Sequence, residues 1–321
     1  MKQEGLVEVG NTPLIRLEGV YAKLECVNPT GSIKDRMAKF IVDESEKRGL
    51  LKKGMTIVEA TSGNTGIALS WYAKQKGYDV TIIMPDNMTE ERKRLIRSFG
   101  ARLVLCSSRG SFPEAVRMRD ELAKDGSHFS TDQFSNALNV ECHYRTTGQE
   151  IIRQLKAESR VADAFVAGVG TGGTLIGVAN ALREVNPRVR IVAIEPDESA
   201  VMSGGEPGPH AIQGIGDGFV PAIVRGKRGR LNSVIDEVVR VKSDDAVEAA
   251  KAIENAHGYC VGVSSGANFL VAKRLLEKHD TVVTVFPDGF NRYVSLGLRS
   301  SGRCNFTSRA CEVSRTAAGV D

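Results

Sequence analysis

Apolar positions along the chain gather into short strand-like runs, and stretches with helical spacing separate them. TIVEA (56–60) leads into a helical pattern near 64–76, and DVTIIMP (79–85) leads into TEERKRLIRSFG. In the latter Thr89 stands at the N-cap and Gly100 at the stop. RLVLCS (102–107) and HFSTDQF (128–134) follow, with a helix between them. AFVAGV (164–169), RIVAIEP (190–196) and EVVRVK (237–242) continue the series. A helix opens at SDDAVEAAKAIENAHG, another covers roughly 264–279, and TVVTVFP (281–287) reads as the last strand. Strand, helix, strand at this spacing predicts an α/β fold with parallel sheets. The alternation is cleanest over 56–131 and 160–287, which predicts two α/β units with a ligand cleft between them at the carboxyl ends of the strands. No internal repeat is visible. The last twenty or so residues, SSGRCNFTSRACEVSRTAAGVD, lose all periodicity and read as a disordered tail.

Composition changes this picture little. A chain of 321 residues with 41% hydrophobic and 26% charged positions has material for two cores. Its net charge of +4 is too mild to imply nucleic acid or a membrane surface. The densest basic stretch, VRGKRGR (224–230), has no interleaved aromatics and reads as a solvated loop. No apolar run approaches the ~18 residues of a membrane span. MKQEGLVEVG lacks an apolar core, and the six cysteines form no CxxC. These observations predict a cytoplasmic protein with reduced thiols. The five histidines are scattered and no HExxH occurs, so no metal site is expected.

Candidate chemistry sits in turns. NPTGSIKDR (28–36) follows the strand-like VYAKLEC; Pro29 and Gly31 make a turn, and Ser32 is placed to cap a helix beginning near Ile33. Lys34 then lies in a first helical turn, where the dipole disfavours a second positive charge and lowers the amine's pKa. That makes a better nucleophile toward carbonyls, although a surface lysine beside Asp35 and Arg36 would look the same. TSGNTG (61–66) crowds more donors into a strand-to-helix turn than a cap needs, which suits an anion such as a carboxylate. GVSSG (262–266) matches G-x-S-x-G, but a hydrolase would place an acid and then a histidine after the serine, and Ser264 is followed only by Glu277 and His279. Ser264 is better read as a neutral hydrogen-bond partner. GVGTGGT (168–174) fits G-x-G-x-x-G, with Glu195 near the place of a ribose-binding acid. The loop alone does not choose between a pyrophosphate and a single phosphate. A hydride-transfer site has no need of the lysine, the polar turn and the serine together, whereas a pyridoxal phosphate site uses all three.

Taken together, GNTPL, NPTGSIKDR, TSGNTGIAL, GVGTGGTLIG, Glu195–Pro196, SGGEPGPHAIQGIGDGF (203–219) and SSGAN (264–268) resemble the cysteine synthase (O-acetylserine sulfhydrylase) family of fold type II pyridoxal phosphate enzymes. The resemblance runs from about residue 10 to about residue 296. It implies two parallel-sheet α/β subdomains with pyridoxal 5′-phosphate in the cleft. Residues 1–34 would belong to the large subdomain, 35–142 would form a small mobile one, 143–299 the cofactor-binding one, and 300–321 the tail. Lys34 matches the Schiff-base lysine and general base. Asn64, Gly170, Thr171, Gly172, Gly173, Thr174 and Ser264 match the remaining cofactor contacts. Thr61, Ser62, Asn64, Thr65 and Gln133 match the loop and neighbour that take the substrate carboxylate. The implied reaction converts O-acetylserine and sulfide to cysteine and acetate. The resemblance also implies a homodimer and, as a possible partner, the C-terminal tail of serine acetyltransferase.

The chain departs from the family pattern in places. The link between GNTPLIRL and YAKLEC is short, as if a hairpin or strand contact were trimmed, Ala60 replaces the usual proline, and Asp217 stands where a small residue is commoner. Rival readings are β-replacement on O-phosphoserine, with Arg225 as the nearby arginine, a cystathionine β-synthase-like condensation of serine, a non-catalytic paralogue that binds serine acetyltransferase, and the dinucleotide dehydrogenase.

Overall fold

In the computed structural model the described residues are 8–61, 63–107, 111–294 and 304. In chain order the strands and helices begin with β1 (Leu14–Leu17), β2 (Val20–Leu24), α1 (Lys34–Lys47), β3 (Thr56–Ala60) and α2 (Asn64–Gln75). They continue with β4 (Asp79–Pro85), α3 (Glu90–Ser98), β5 (Arg102–Cys106), α4 (Ser111–Leu122), β6 (His128–Ser130) and α5 (Ala137–His143). A π-helical turn, Tyr144–Gly148, joins α5 to α6 (Gln149–Ala157). Then come β7 (Ala164–Gly168), α7 (Gly173–Val185), β8 (Arg190–Pro196), β9 (Glu237–Val241), α8 (Ser243–His257), α9 (Val263–Leu275) and β10 (Val282–Phe286).

The strands form two sheets. One has six strands in the order β1-β2-β10-β7-β8-β9, parallel except for β1, and the other has four parallel strands in the order β5-β4-β3-β6. Both faces of the larger sheet are covered, and the period-two pattern shows how. Ala164 and Val166 of β7, with Val192 and Ile194 of β8, join the core under α8 and α9. Phe165 and Ala167, with Ile191 and Ala193, join the core under α6 and α7. Buried runs without polar alternation are what a parallel sheet covered on both sides requires. Each fully buried valine, isoleucine or phenylalanine among them contributes about 1.5–3 kcal/mol. The smaller sheet divides in the same way, with Ile57 and Ile82 facing α2 and α3, and Val58, Ala60 and Ile83 facing α4.

Several expectations need correction. The short link is an intact hairpin: Leu14 pairs Lys23 and Leu17 pairs Val20. Glu18 and Gly19 both take positive φ, 46° and 92°, as a two-residue primed turn demands. The run 128–134 is a strand only to Ser130; beyond it the chain turns, with Asp132 in the left-handed region, and carries Gln133 inward. The stretch 137–157, which the apolar pattern did not single out, is helical. Ser32 does not cap α1: Ile33 holds the N-cap position and the Ser32 hydroxyl has no partner among the described residues. Thr89 does hold the N-cap position of α3, without a side-chain cap bond. The thiols are not all reduced, because Cys260 and Cys304 form a disulfide, while Cys26, Cys106 and Cys142 are buried and outside it. The remainder of the predicted tail lies outside the described residues. Among the described residues no helix is long and apolar enough to cross a membrane, and no cluster of His, Cys, Asp or Glu could hold a metal.

Candidate active site

The loops that leave the carboxyl ends of β3, β7 and β10 meet the start of α1 around one cleft of about 790 Å³, its open mouth included. Its lining brings together Lys34, Thr61, Asn64, Thr65, Gln133, Gly170, Thr171, Gly172, Thr174 and Ser264, residues from five separate motifs. Ser62 lies outside the described residues, and Gly173, though it opens α7, is not among the lining residues.

Lys34 is the first residue of α1. Its position is set from both sides. Ile33 N donates to Pro287 O at 2.8 Å, and Thr30 N donates to the Asp35 carboxylate at 2.6 Å. Behind it Arg36 donates to Glu25 and Glu150 at 2.7 Å each, in a buried network that Lys23 joins through Glu150 at 2.8 Å. Burial pushes the Lys34 amine below the usual lysine range, and the charges of Asp217 and Asp288 oppose the shift without cancelling it. Burial also raises the neighbouring Asp35 to about 7.

The 61–65 turn is tied to both sheets. Thr61 Oγ1 accepts from Gly63 N at 3.1 Å, and Thr65 Oγ1 donates to Gln133 Oε1 at 2.6 Å. Gln133 Nε2 returns a bond to Ala60 O at 3.1 Å. Asn64 Nδ2 donates to Asp288 at 2.6 Å, and its carbonyl oxygen accepts from Arg292, whose guanidinium also donates to Thr30 O.

The glycine loop is built for close approach. Gly172, at φ +86°, is the N-cap of α7, and the first turn of that helix carries no acid. A Cβ on Gly170 would lie 2.4 Å from Gly214 O, and one on Gly173 would lie 2.0 Å from Asn139 Oδ1. Asn139 Nδ2 donates to Thr171 Oγ1 at 2.9 Å. Thr174 Oγ1 lies 3.2 Å from Nε2 of His143, a ring that burial keeps neutral. Open helical N–H groups, two hydroxyls and no carboxylate in that first turn make an anion cradle. Glu195 serves elsewhere: its carboxylate accepts from Met202 N at 2.7 Å and Ser203 N at 3.0 Å, which removes the ribose reading. Arg225 is not in the cleft either, since its Nε donates to Val220 O at 3.0 Å; the arginine lining the cleft is Arg92. Sequence reasoning passed over Arg92, Asn139 and His143, which lie inside helices and carry no motif.

A family profile described as pyridoxal-phosphate dependent enzyme matches residues 6–288. The chain belongs to that family. This pyridoxal-phosphate dependent enzyme is 43% identical over 304 residues to a cysteine synthase of Staphylococcus aureus, covering 91% of this chain and 95% of the relative. Among solved structures it resembles a hydrogen sulfide-producing enzyme of Fusobacterium nucleatum (39% identity, TM-score 0.85, 95% of this chain and 93% of that one). It also resembles the cysteine synthase of Entamoeba histolytica (34%, 0.83, 100% and 98%) and an O-acetylserine dependent cystathionine beta-synthase of Helicobacter pylori (33%, 0.83, 90% and 96%). The residues present fit the family's cofactor. A low-pKa amine, a phosphate-sized cradle that side chains would fill, and the hydroxyl of Ser264, second residue of α9, line one cavity.

Proposed function

We propose that the chain makes cysteine and acetate from O-acetylserine and sulfide by pyridoxal phosphate-dependent β-replacement. The observation that carries this reading is the convergence of Lys34, the 61–65 turn with Gln133, and the α7 cradle on one cleft, in a chain 43% identical to a cysteine synthase. When bound, pyridoxal phosphate supplies an aldehyde for Lys34 and an electron sink for the substrate's Cα. The N–H groups of the 170–174 loop, with the hydroxyls of Thr171 and Thr174, would hold its phosphate. Ser264 would serve its ring nitrogen as a neutral partner, and Asn64 its ring oxygen. Thr61, Ser62, Asn64, Thr65 and Gln133 take the amino acid's carboxylate, which draws the small α/β unit, 35–142, toward the unit formed by 1–34 and 143–299. Closure excludes water. The Lys34 amine, whose pKa burial lowers, accepts the Cα proton and later returns it to the same carbon. Strands β3 and β7, each paired on both edges, carry the 61–65 turn and the 170–174 loop.

We infer further that the enzyme works as a cytoplasmic homodimer and that its cleft also accepts the C-terminal tail of a serine acetyltransferase; the family resemblance supports both. The test is turnover with sulfide and, in turn, O-acetylserine, O-phosphoserine and serine. Cysteine forming fastest from O-acetylserine is the expected result. O-acetylserine as the poorest donor overturns the assignment, and tight peptide binding without turnover would leave the binding role alone.

A further inference from the structure

Two polar side chains on α5 stand behind the α7 cradle without lining the cleft. Asn139 and His143, one helical turn apart, are both fully buried. They reach α7 because glycines let the two helices close. A Cβ on Gly173 would lie 2.0 Å from Asn139 Oδ1, and one on Gly177 would lie 2.7 Å from the His143 Cβ.

Hydrogen-bond direction around Asn139 is forced. Its Nδ2 donates to Gln133 O at 2.9 Å, and a backbone carbonyl only accepts, so that nitrogen cannot change places with Oδ1. The second Nδ2 hydrogen goes to Thr171 Oγ1 at 2.9 Å, and Gly173 N donates to the same oxygen at 3.3 Å. Thr171 Oγ1 therefore accepts twice, which fills its lone pairs and leaves only its own hydrogen to offer the cleft that it lines.

His143 sits between two hydroxyls, with Nδ1 2.9 Å from Thr147 Oγ1 and Nε2 3.2 Å from Thr174 Oγ1. Burial, then the charges of Lys34 and Arg36, keep the ring neutral, so it carries one N–H and donates to one hydroxyl only. With the proton on Nδ1, Thr174 gives its hydrogen to the ring and turns a lone pair toward the cleft. With the proton on Nε2, Thr147 donates to Nδ1, Thr174 accepts from the ring, and the Thr174 hydrogen stays available to the cleft. An anion at the start of α7 is served by the second arrangement and repelled by the first.

We propose that Asn139 and His143 are positioning residues that turn the hydroxyl hydrogens of Thr171 and Thr174 toward the cofactor's phosphate, with the His143 proton held on Nε2. This inference rests on the assignment of the 170–174 loop to that phosphate. Both hydroxyls are then preset as donors and need not reorient when the anion arrives, which lowers the ordering cost of binding.

The experiment compares pyridoxal phosphate with pyridoxal, which lacks the phosphate, each titrated into the full chain freed of cofactor and followed by fluorescence. Wild type is expected to favour pyridoxal phosphate. His143→Leu and Asn139→Ala are each expected to weaken pyridoxal phosphate about tenfold or more and to leave pyridoxal within about twofold. Adding His143→Leu to Thr174→Val should cost nothing further, because the hydroxyl it directs is gone. Equal losses for both ligands, or a full second loss in the double variant, mark general packing; either overturns the inference and leaves the cradle standing. A wild type that binds the two ligands equally removes the cradle, and the inference with it. A last readout needs no variant: ¹⁵N NMR of the His143 ring in the cofactor-loaded wild type should find the proton on Nε2. A proton on Nδ1 overturns the inference.

Discussion

Replacing Glu150 with glutamine tests what holds the start of α1 in place. Glu150 stands between two cations, 2.7 Å from Arg36 and 2.8 Å from Lys23, and Glu25 is the other acid of the group. The four charges balance. Removing one acid leaves a net positive charge in a region where the Arg36 and Lys23 side chains are at most 1% exposed. The cations hold the Glu150 carboxyl at about 2 against an ordinary 4.5, a difference worth about 3 kcal/mol. Lys23 moves the other way: burial lowers its proton affinity despite Glu150. We therefore assign most of the effect to the Arg36–Glu150 pair, whose geometry is two-pronged. Breaking a buried pair from one side costs about 3–5 kcal/mol. For a protein of this size that lowers Tm by roughly 6–15 °C. The sign with pH follows from a depressed acid: wild type has this stabilisation in full above about pH 4.5 and loses it as pH falls toward about 2, whereas the variant has none to lose. Urea unfolding followed by far-UV circular dichroism at pH 7 and at pH 3 measures both. A loss under about 1 kcal/mol at pH 7, or an equal loss at both pH values, would refute the reasoning.

Other outcomes are equally specific. Lys34→Ala should abolish the visible absorbance of lysine-bound cofactor and lower turnover by about 10²–10⁴-fold, and a variant that stays yellow and active would remove Lys34 from the chemistry. Gly170→Ala places a methyl 2.4 Å from Gly214 O, so pyridoxal phosphate affinity, read by fluorescence titration, should fall at least tenfold while the far-UV spectrum is kept. Thr65→Val leaves Gln133 Oε1 without its 2.6 Å donor and should raise KM for the amino acid more than it lowers kcat. Because burial lowers the Lys34 pKa, its neutral form and the stability linked to it are gained as pH rises, starting below the usual lysine range; the acid limb of Lys34 labelling in cofactor-free protein should lie there, and a limb near the ordinary lysine value would contradict the assignment.

Much of this site was legible before any coordinates. β4 and β8 begin and end where DVTIIMP and RIVAIEP place them, because a continuous apolar run bounded by polar turns leaves a buried parallel strand little latitude. The motifs that converge on the cleft were legible for a related reason: most are turns, where surplus hydroxyls and glycines have no packing role. What was not legible lies where tertiary contact decides. HFSTDQF has strand composition throughout, yet Glu59 takes up the Thr131 hydroxyl and, at 3.3 Å, Gln133 N, and so bends the chain out of the sheet. Asn139 and His143 sit on a helix four residues apart and look like surface polar residues until α7 packs on them. Arg92 shares its helix with other basic residues, and nothing local marks the one that faces the cleft. Ser32 has the composition of a cap and none of its bonds, because Pro287 supplies the acceptor that fixes the helix start instead.

Arg292 has a consequence of another kind. One buried guanidinium grips the carbonyl of Thr30, four residues ahead of Lys34, and the side-chain amide of Asn64, so the lysine's loop and the turn proposed to take the carboxylate share a fastener. Two ligands that each tug on that fastener are thermodynamically linked. Whatever factor the cofactor imposes on the turn's affinity for a carboxylate, the carboxylate must impose on the cofactor. On the proposed binding sites, an amino acid arriving in the cleft would therefore also alter how firmly the enzyme keeps its pyridoxal phosphate, and loading would become a function of substrate supply.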